Sequence, residues 1–184
     1  MGTQTTDKKL QKLVIAAMFA AVITVATIVI QIPSPMNGYV NMGDLFVLLS
    51  AWMLGPVYGT AAAAIGSALA DIITSYPYYA PGTFVIKGLM ALAAYALLMV
   101  LVGEKSTGVR KIVGYTVSAV AAEAIMVGGY FLYASLILGR GLAAASSIPG
   151  NLVQGAFGIV ASVFVIGVTE RTGLRRRIMQ FKHD

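Results

Sequence analysis

Runs of apolar residues alternate along the chain with short segments marked by Pro, Gly and charge. The alternation predicts six helices, over residues 10–31, 43–54, 57–75, 82–102, 112–138 and 148–170. The breaks between them are "IPSPMNGYVNM" (32–42), Gly55 with Pro56, "YPYYAP" (76–81), "GEKSTGVRK" (103–111) and "GRGLAAASS" (139–147). One helix fits poorly. The run 43–54 rises only about 18 Å at about 1.5 Å per residue, well short of a hydrocarbon core of roughly 30 Å. Either it starts earlier, or the "IPSPMNGYVNM" segment dips into the protein to meet it. Irregular backbone survives at such depth only where protein or a wet cavity satisfies its amides, so the pattern already hints at a cavity on the outer side.

Composition fixes the solvent. With 58% hydrophobic residues, 11% charged ones and a mean hydropathy of +0.83, the chain is too apolar to keep its surface in water. The fold expected is all-α and integral to the membrane, one domain over residues 1–184. Neither G-x-x-x-x-G-K-[ST] nor G-x-G-x-x-G occurs, so energy from ATP has to come from a partner. Cysteine is absent and the single histidine, His183, lies in a charged tail, which excludes disulfides and leaves no metal site or other cofactor to expect.

The formal charge of +6 acquires meaning from its distribution. With the N-terminus inside, Lys8, Lys9, Lys12, Lys105, Arg110, Lys111, Arg171, Arg175, Arg176, Arg177 and Lys182 all fall on the cytoplasmic side, and Arg140 alone among loop cations falls outside. Both termini are therefore expected in the cytoplasm, with an even number of spans. The basic excess then reflects topology and attraction to anionic lipid, not nucleic acid. The lysines before the first apolar run resemble a signal peptide, but the run is too long for one and reads as a retained first span.

Against this background the buried polar residues stand out. Counting along the helices puts Asp44, Asp71 and Lys87 in the outer half, Asn151 and Gln154 at the outer start of the last helix, and Glu123 near the middle of the fifth. A charge at a helix centre costs roughly 2.5–3.5 kcal/mol on insertion scales, so each requires a reason. Asp71 and Lys87 read either as an ion pair stapling neighbouring helices or as walls of a solute pocket, and both can hold. Asp44, after Asn41 and Gly43, reads as a helix cap. Glu123 is protonated, hydrogen-bonded to another helix, or part of the cavity floor, the last being the expectation carried forward. Tyr39, Tyr76, Tyr78, Tyr79, Tyr130 and Tyr133 form either an interfacial belt or the rings that hold a flat heteroaromatic solute. The candidate solute-contacting set is Tyr39, Asn41, Asp71, Tyr79, Thr83, Lys87, Glu123, Tyr130, Asn151 and Gln154. In the first helix, Ala16 and Ala20, like Ala17 and Ala21, are four apart on one face and admit a close helix neighbour.

Residues 41–94, "NMGDLFVLLSAWMLGPVYGTAAAAIGSALADIITSYPYYAPGTFVIKGLMALAA", the alanine ridge, and "PGNLVQGAFG" (149–158) together resemble the substrate-binding S components of energy-coupling factor (ECF) transporters, prokaryotic vitamin importers. The resemblance covers nearly the whole chain and points to the subfamily associated with riboflavin, pyridoxine and hydroxymethylpyrimidine uptake. It implies six membrane helices in a prokaryotic plasma membrane and one vitamin bound near the outer face under the first loop. It further implies docking through Ala16, Ala17, Ala20 and Ala21 onto a transmembrane T component carrying two ATPases. Riboflavin members differ in that first loop, so the resemblance favours a smaller pyridine or pyrimidine. Two other classes compete: an intramembrane enzyme using Asp71 and Glu123 as acid and base, and a self-sufficient secondary transporter, for which no internal repeat is evident.

Overall fold

The computed structural model describes residues 2–34, 38–102 and 108–172. Lys105, Arg175, Arg176, Arg177, Lys182 and His183, together with the side chain of Lys8, lie outside the described residues, and the charge asymmetry assigned to them stays a sequence expectation.

Helix α1 (Gly2–Val29) leads into two short antiparallel strands, β1 (Gln31–Ser34) and β2 (Gly38–Asn41), in a register that sets Gln31 opposite Asn41 and Pro33 opposite Tyr39. Then come α2 (Asp44–Ile73), α3 (Ala80–Leu101) and α4 (Val109–Leu132), the last continued by a π-helical turn at Tyr133–Ile137. A 3₁₀ segment (Gly141–Ser147) precedes α5 (Ile148–Arg171). Among the described residues, five helices are long and apolar enough to cross a membrane. The expected outer loop 32–42 is instead a hairpin. Strand pairing is one of the few ways to satisfy backbone amides beside a membrane.

Helix α2 covers what the sequence divides into two helices, and the division is real inside it. Gly55 takes φ 80° and ψ −171°, a backbone that only glycine adopts readily, and Pro56 follows where a new helix starts best. The halves, α2a (44–54) and α2b (56–73), fold back on one another. Ser50 Oγ lies 3.2 Å from the Gly59 carbonyl oxygen, whereas nine residues of straight helix would separate them by about 13 Å. A Cβ on Gly59 would stand 2.5 Å from the Ser50 carbonyl oxygen, so glycine is required there for the two backbones to touch.

The short half solves the problem of its own length by being interior. Asp44, Val47, Leu48, Leu49, Ser50, Ala51 and Trp52 are all buried, and the core they share with Ile23, Met90, Leu98, Met126 and Ile166 surrounds α2a with the full-length helices. Trp52 meets Tyr115 edge to face at 4.8 Å. Beyond that ring pair, Lys111 and Glu170 form an ion pair at 2.6 Å and the Tyr115 hydroxyl donates to Glu170 at 2.9 Å, tying α4 to α5 at the end remote from the hairpin.

Candidate functional site

Because α2a begins beneath the hairpin and not at the surface, its first residue enters the protein interior. Asp44 is 1% exposed and does not cap the helix. Its Oδ1 pairs with Lys87 Nζ, and its Oδ2 accepts from Gln154 Nε2 at 2.6 Å. This corrects two sequence expectations, the capping role of Asp44 and the pairing of Lys87 with Asp71. A carboxylate this deep needs a cation more than a free amide does, and Lys87 supplies it. Gln154 also accepts the Asn41 N–H at 2.8 Å, and Asn41 Oδ1 accepts the Gly43 N–H at 2.8 Å, so the hairpin, α2a, α3 and α5 are knotted together.

Asp71 has a different partner. The Tyr39 hydroxyl of β2 donates to its Oδ1, its Oδ2 has no partner at hydrogen-bond distance among the described residues, and the Thr83 hydroxyl also interacts with the side chain. Burial first, and then the Asp71 carboxylate, push the Tyr39 hydroxyl above the usual tyrosine range, so it keeps its proton to donate. The Thr83 hydroxyl is bonded to the Tyr130 hydroxyl at 3.0 Å, and the Lys87 ammonium lies 5.6 Å from the Tyr130 ring centroid.

These groups enclose one cavity, lined by Thr27, Tyr39, Asn41, Ser67, Asp71, Tyr79, Thr83, Lys87, Tyr130, Ser147, Asn151 and Gln154. Nine of the ten sequence candidates are among them. The exception is Glu123, which packs against Gly155 and Gly158 and faces the Asp44 side chain beneath the cavity, so it forms no part of the lining. The sequence reading overlooked Thr27, Ser67 and Ser147. For Ser67 a signal existed: it precedes Asp71 by four residues and so shares its face of α2b. The void measures about 40 Å³, room for about three waters. Tyrosine rings cover its mouth, with Tyr39 and Tyr76 centroids 5.0 Å apart, Tyr78 and Tyr79 5.2 Å, and Tyr79 and Tyr130 6.3 Å. Arg140, the outer cation, donates to the Tyr79 hydroxyl at 3.0 Å and lies over its ring.

Two further expectations change. Ala16 is buried and Ala20 abuts Gly66, where a Cβ would meet the Ala20 carbonyl oxygen at 2.5 Å. Thr24 Oγ1 reinforces the contact by donating to the Gly66 carbonyl at 2.8 Å. That pair therefore packs α1 on α2b, and only Ala17 and Ala21 of the ridge are exposed. Asp71 and Glu123, the supposed acid and base, sit on different partners, the first on Tyr39 and the second against Asp44.

Comparison with known proteins adds an independent line. The sequence model of the family described as ECF-type riboflavin transporter, S component, matches residues 7–170. An uncharacterized protein of Pyrococcus woesei, from the gap 3' region, is 36% identical over 139 residues, covering 75% of this chain and 87% of that protein. A solved structure, described as that of the S component of a bacterial ECF transporter, superposes with a TM-score of 0.62 at 22% identity. It covers 90% of this chain and 96% of that one, a likeness of fold.

Proposed function

Since the chain belongs to the family of ECF-type riboflavin transporter S components, we propose that it captures a small B-type vitamin or vitamin precursor in the cavity under the β-hairpin. It then delivers that solute through a transmembrane T component carrying two ATPases. Members of this family are transporter subunits, not enzymes, and the chain is a multi-pass membrane protein. In this reading α2a and α2b count as separate segments, giving six membrane helices with both termini in the cytoplasm of a prokaryotic cell. The candidate solute contacts are Tyr39, Asn41, Asp71, Tyr79, Thr83, Lys87, Tyr130, Asn151 and Gln154, with Thr27, Ser67 and Ser147 added by the structure and Glu123 supporting from below. Ala17 and Ala21 are the docking face toward the T component.

The observation that carries this reading is convergence. Side chains from α1, β2, α2, α3, α4 and α5 turn their polar atoms into one hollow in a chain that is otherwise apolar. A pyridoxine-like or hydroxymethylpyrimidine-like solute is preferred to riboflavin, since a smaller ring asks a hollow of about 40 Å³ to widen less. The strand pair is tied to α2b beside the cavity by the bonds from Tyr39 to Asp71 and from Gln31 to Thr74. Native mass spectrometry of the purified protein should show one small heteroaromatic molecule per chain, lost in Asn151→Ala. Lipid alone in every spectrum would refute the proposal. Asn151 is the better probe than Lys87, because removing Lys87 strands Asp44 and disturbs folding as well. Uptake by this chain alone in empty liposomes would favour a self-sufficient transporter instead.

A further inference from the structure

Buried polar atoms are nearly always hydrogen-bonded, so those left without partners mark either strain or an absent guest. Among the described residues the unpartnered buried side-chain atoms include Thr60 Oγ1 and both Glu123 carboxyl oxygens away from the cavity and, on residues that line it, Thr27 Oγ1, Ser67 Oγ and Asp71 Oδ2. The last three share one wall. Ser67 and Asp71 are four residues apart on α2b, and Thr27 is brought beside them by the close packing of α1 on α2b at Ala20 and Gly66. Elsewhere around the cavity the polar groups are largely matched: Thr83 with Tyr130, Gln154 with Asp44 and Asn41, and Lys87 with Asp44.

Asp44, Asp71 and Glu123 are buried with Lys87 as the one buried cation among the described residues, and its ammonium is paired with Asp44. Asp71, 3% exposed, lines the hollow with one oxygen held by Tyr39 and the other buried without a partner at hydrogen-bond distance among the described residues, the Thr83 hydroxyl also interacting with the side chain. What such a wall lacks is a donor, and preferably a positive one.

Resting on the vitamin-binding reading above, we propose that the solute is a small N-heterocycle bearing an amino group or a protonated ring nitrogen. Its N–H edge is read by Asp71 Oδ2, with the Ser67 and Thr27 hydroxyls beside it. A flavin ring is a poor fit, because its one imide N–H is flanked by two carbonyl oxygens that would face the carboxylate.

The test is calorimetric titration of the detergent-purified protein with four probes: 4-amino-5-hydroxymethyl-2-methylpyrimidine, its 4-oxo counterpart, pyridoxine and riboflavin. Asp71→Asn is the informative variant. Its side-chain oxygen still accepts from Tyr39, while an NH₂ replaces the open acceptor and reverses the pattern the solute meets. The amino probe should bind about ten-fold or more tightly than the oxo probe. Asp71→Asn should weaken the aminopyrimidine or pyridoxine about ten-fold or more while changing the oxo probe much less, and Ser67→Ala should weaken the same ligand a few-fold. Equal affinity for the amino and oxo probes in the unmodified protein, with pyridoxine not preferred, overturns the inference without any variant having to fold. So does riboflavin as the tightest ligand with Asp71→Asn indifferent, although vitamin binding then survives. Failure of all four probes, with no solute co-purifying, removes both readings together.

Discussion

Asp44 and Lys87 show what a buried charge demands of its neighbours. Removing one partner of such a pair leaves the other uncompensated, which costs about 3–5 kcal/mol, whereas replacing both with apolar residues of similar volume is often tolerated. Lys87→Met or Asp44→Leu alone should therefore lower the thermal midpoint in detergent sharply, and the double variant should recover most of the loss. Gly43 is equally constrained, since a Cβ there would stand 2.2 Å from Thr27 Oγ1 and 3.0 Å from Asn41 Oδ1. Most cavity residues were legible in the sequence, because a polar side chain in an apolar run is conspicuous and its depth follows from counting. Their pairing was not. Counting places Asp44 at a helix start but does not reveal that this start lies under a hairpin, next to Lys87 and away from water.

At the scale of elements, the turn inside α2 is the least forgiving feature. Gly55→Ala puts a Cβ on a positive-φ, extended-ψ backbone that is essentially reserved for glycine, a cost of about 1–3 kcal/mol measurable as a reduced unfolding midpoint. Gly59→Val should be worse, because the clash is with the backbone of Ser50 and cannot be relieved by a side-chain rotation. The break itself was readable from Gly55 and Pro56, and the short run before it from its length. Strand pairing at 31–34 and 38–41 was not, since two prolines in "IPSPMNGYVNM" look like loop chemistry and only the partner strand makes the pairing visible. The alanine ridge was half legible: spacing shows which residues share a face, but which of two adjacent faces a neighbour takes depends on Gly66. Ala17→Trp with Ala21→Trp should spare solute binding and prevent co-purification with the T component. Ala16→Trp with Ala20→Trp should instead lower stability in the isolated chain.

Across the whole molecule, polarity is distributed by height. The cavity and its tyrosines occupy the end near the hairpin, the apolar core fills the middle, and Lys111, Glu170 and Arg171 edge a second hollow of about 530 Å³ at the far end. Composition foretold the solvent and the all-helical bundle. It could not foretell that α2a would serve as an internal pillar with most of its side chains enclosed.

The contact between Ala20 and Gly66 leaves no slack, because main chain rests directly on main chain with the Thr24 hydroxyl bridging it. Helix α1 and α2b are thereby joined main chain to main chain, and Asp71 sits five residues beyond the joint. On the docking proposal, a neighbour pressing on Ala21 should reach Asp71 through that joint, so a reporter fixed at Ser67 is expected to register the push in a chain holding no cargo at all.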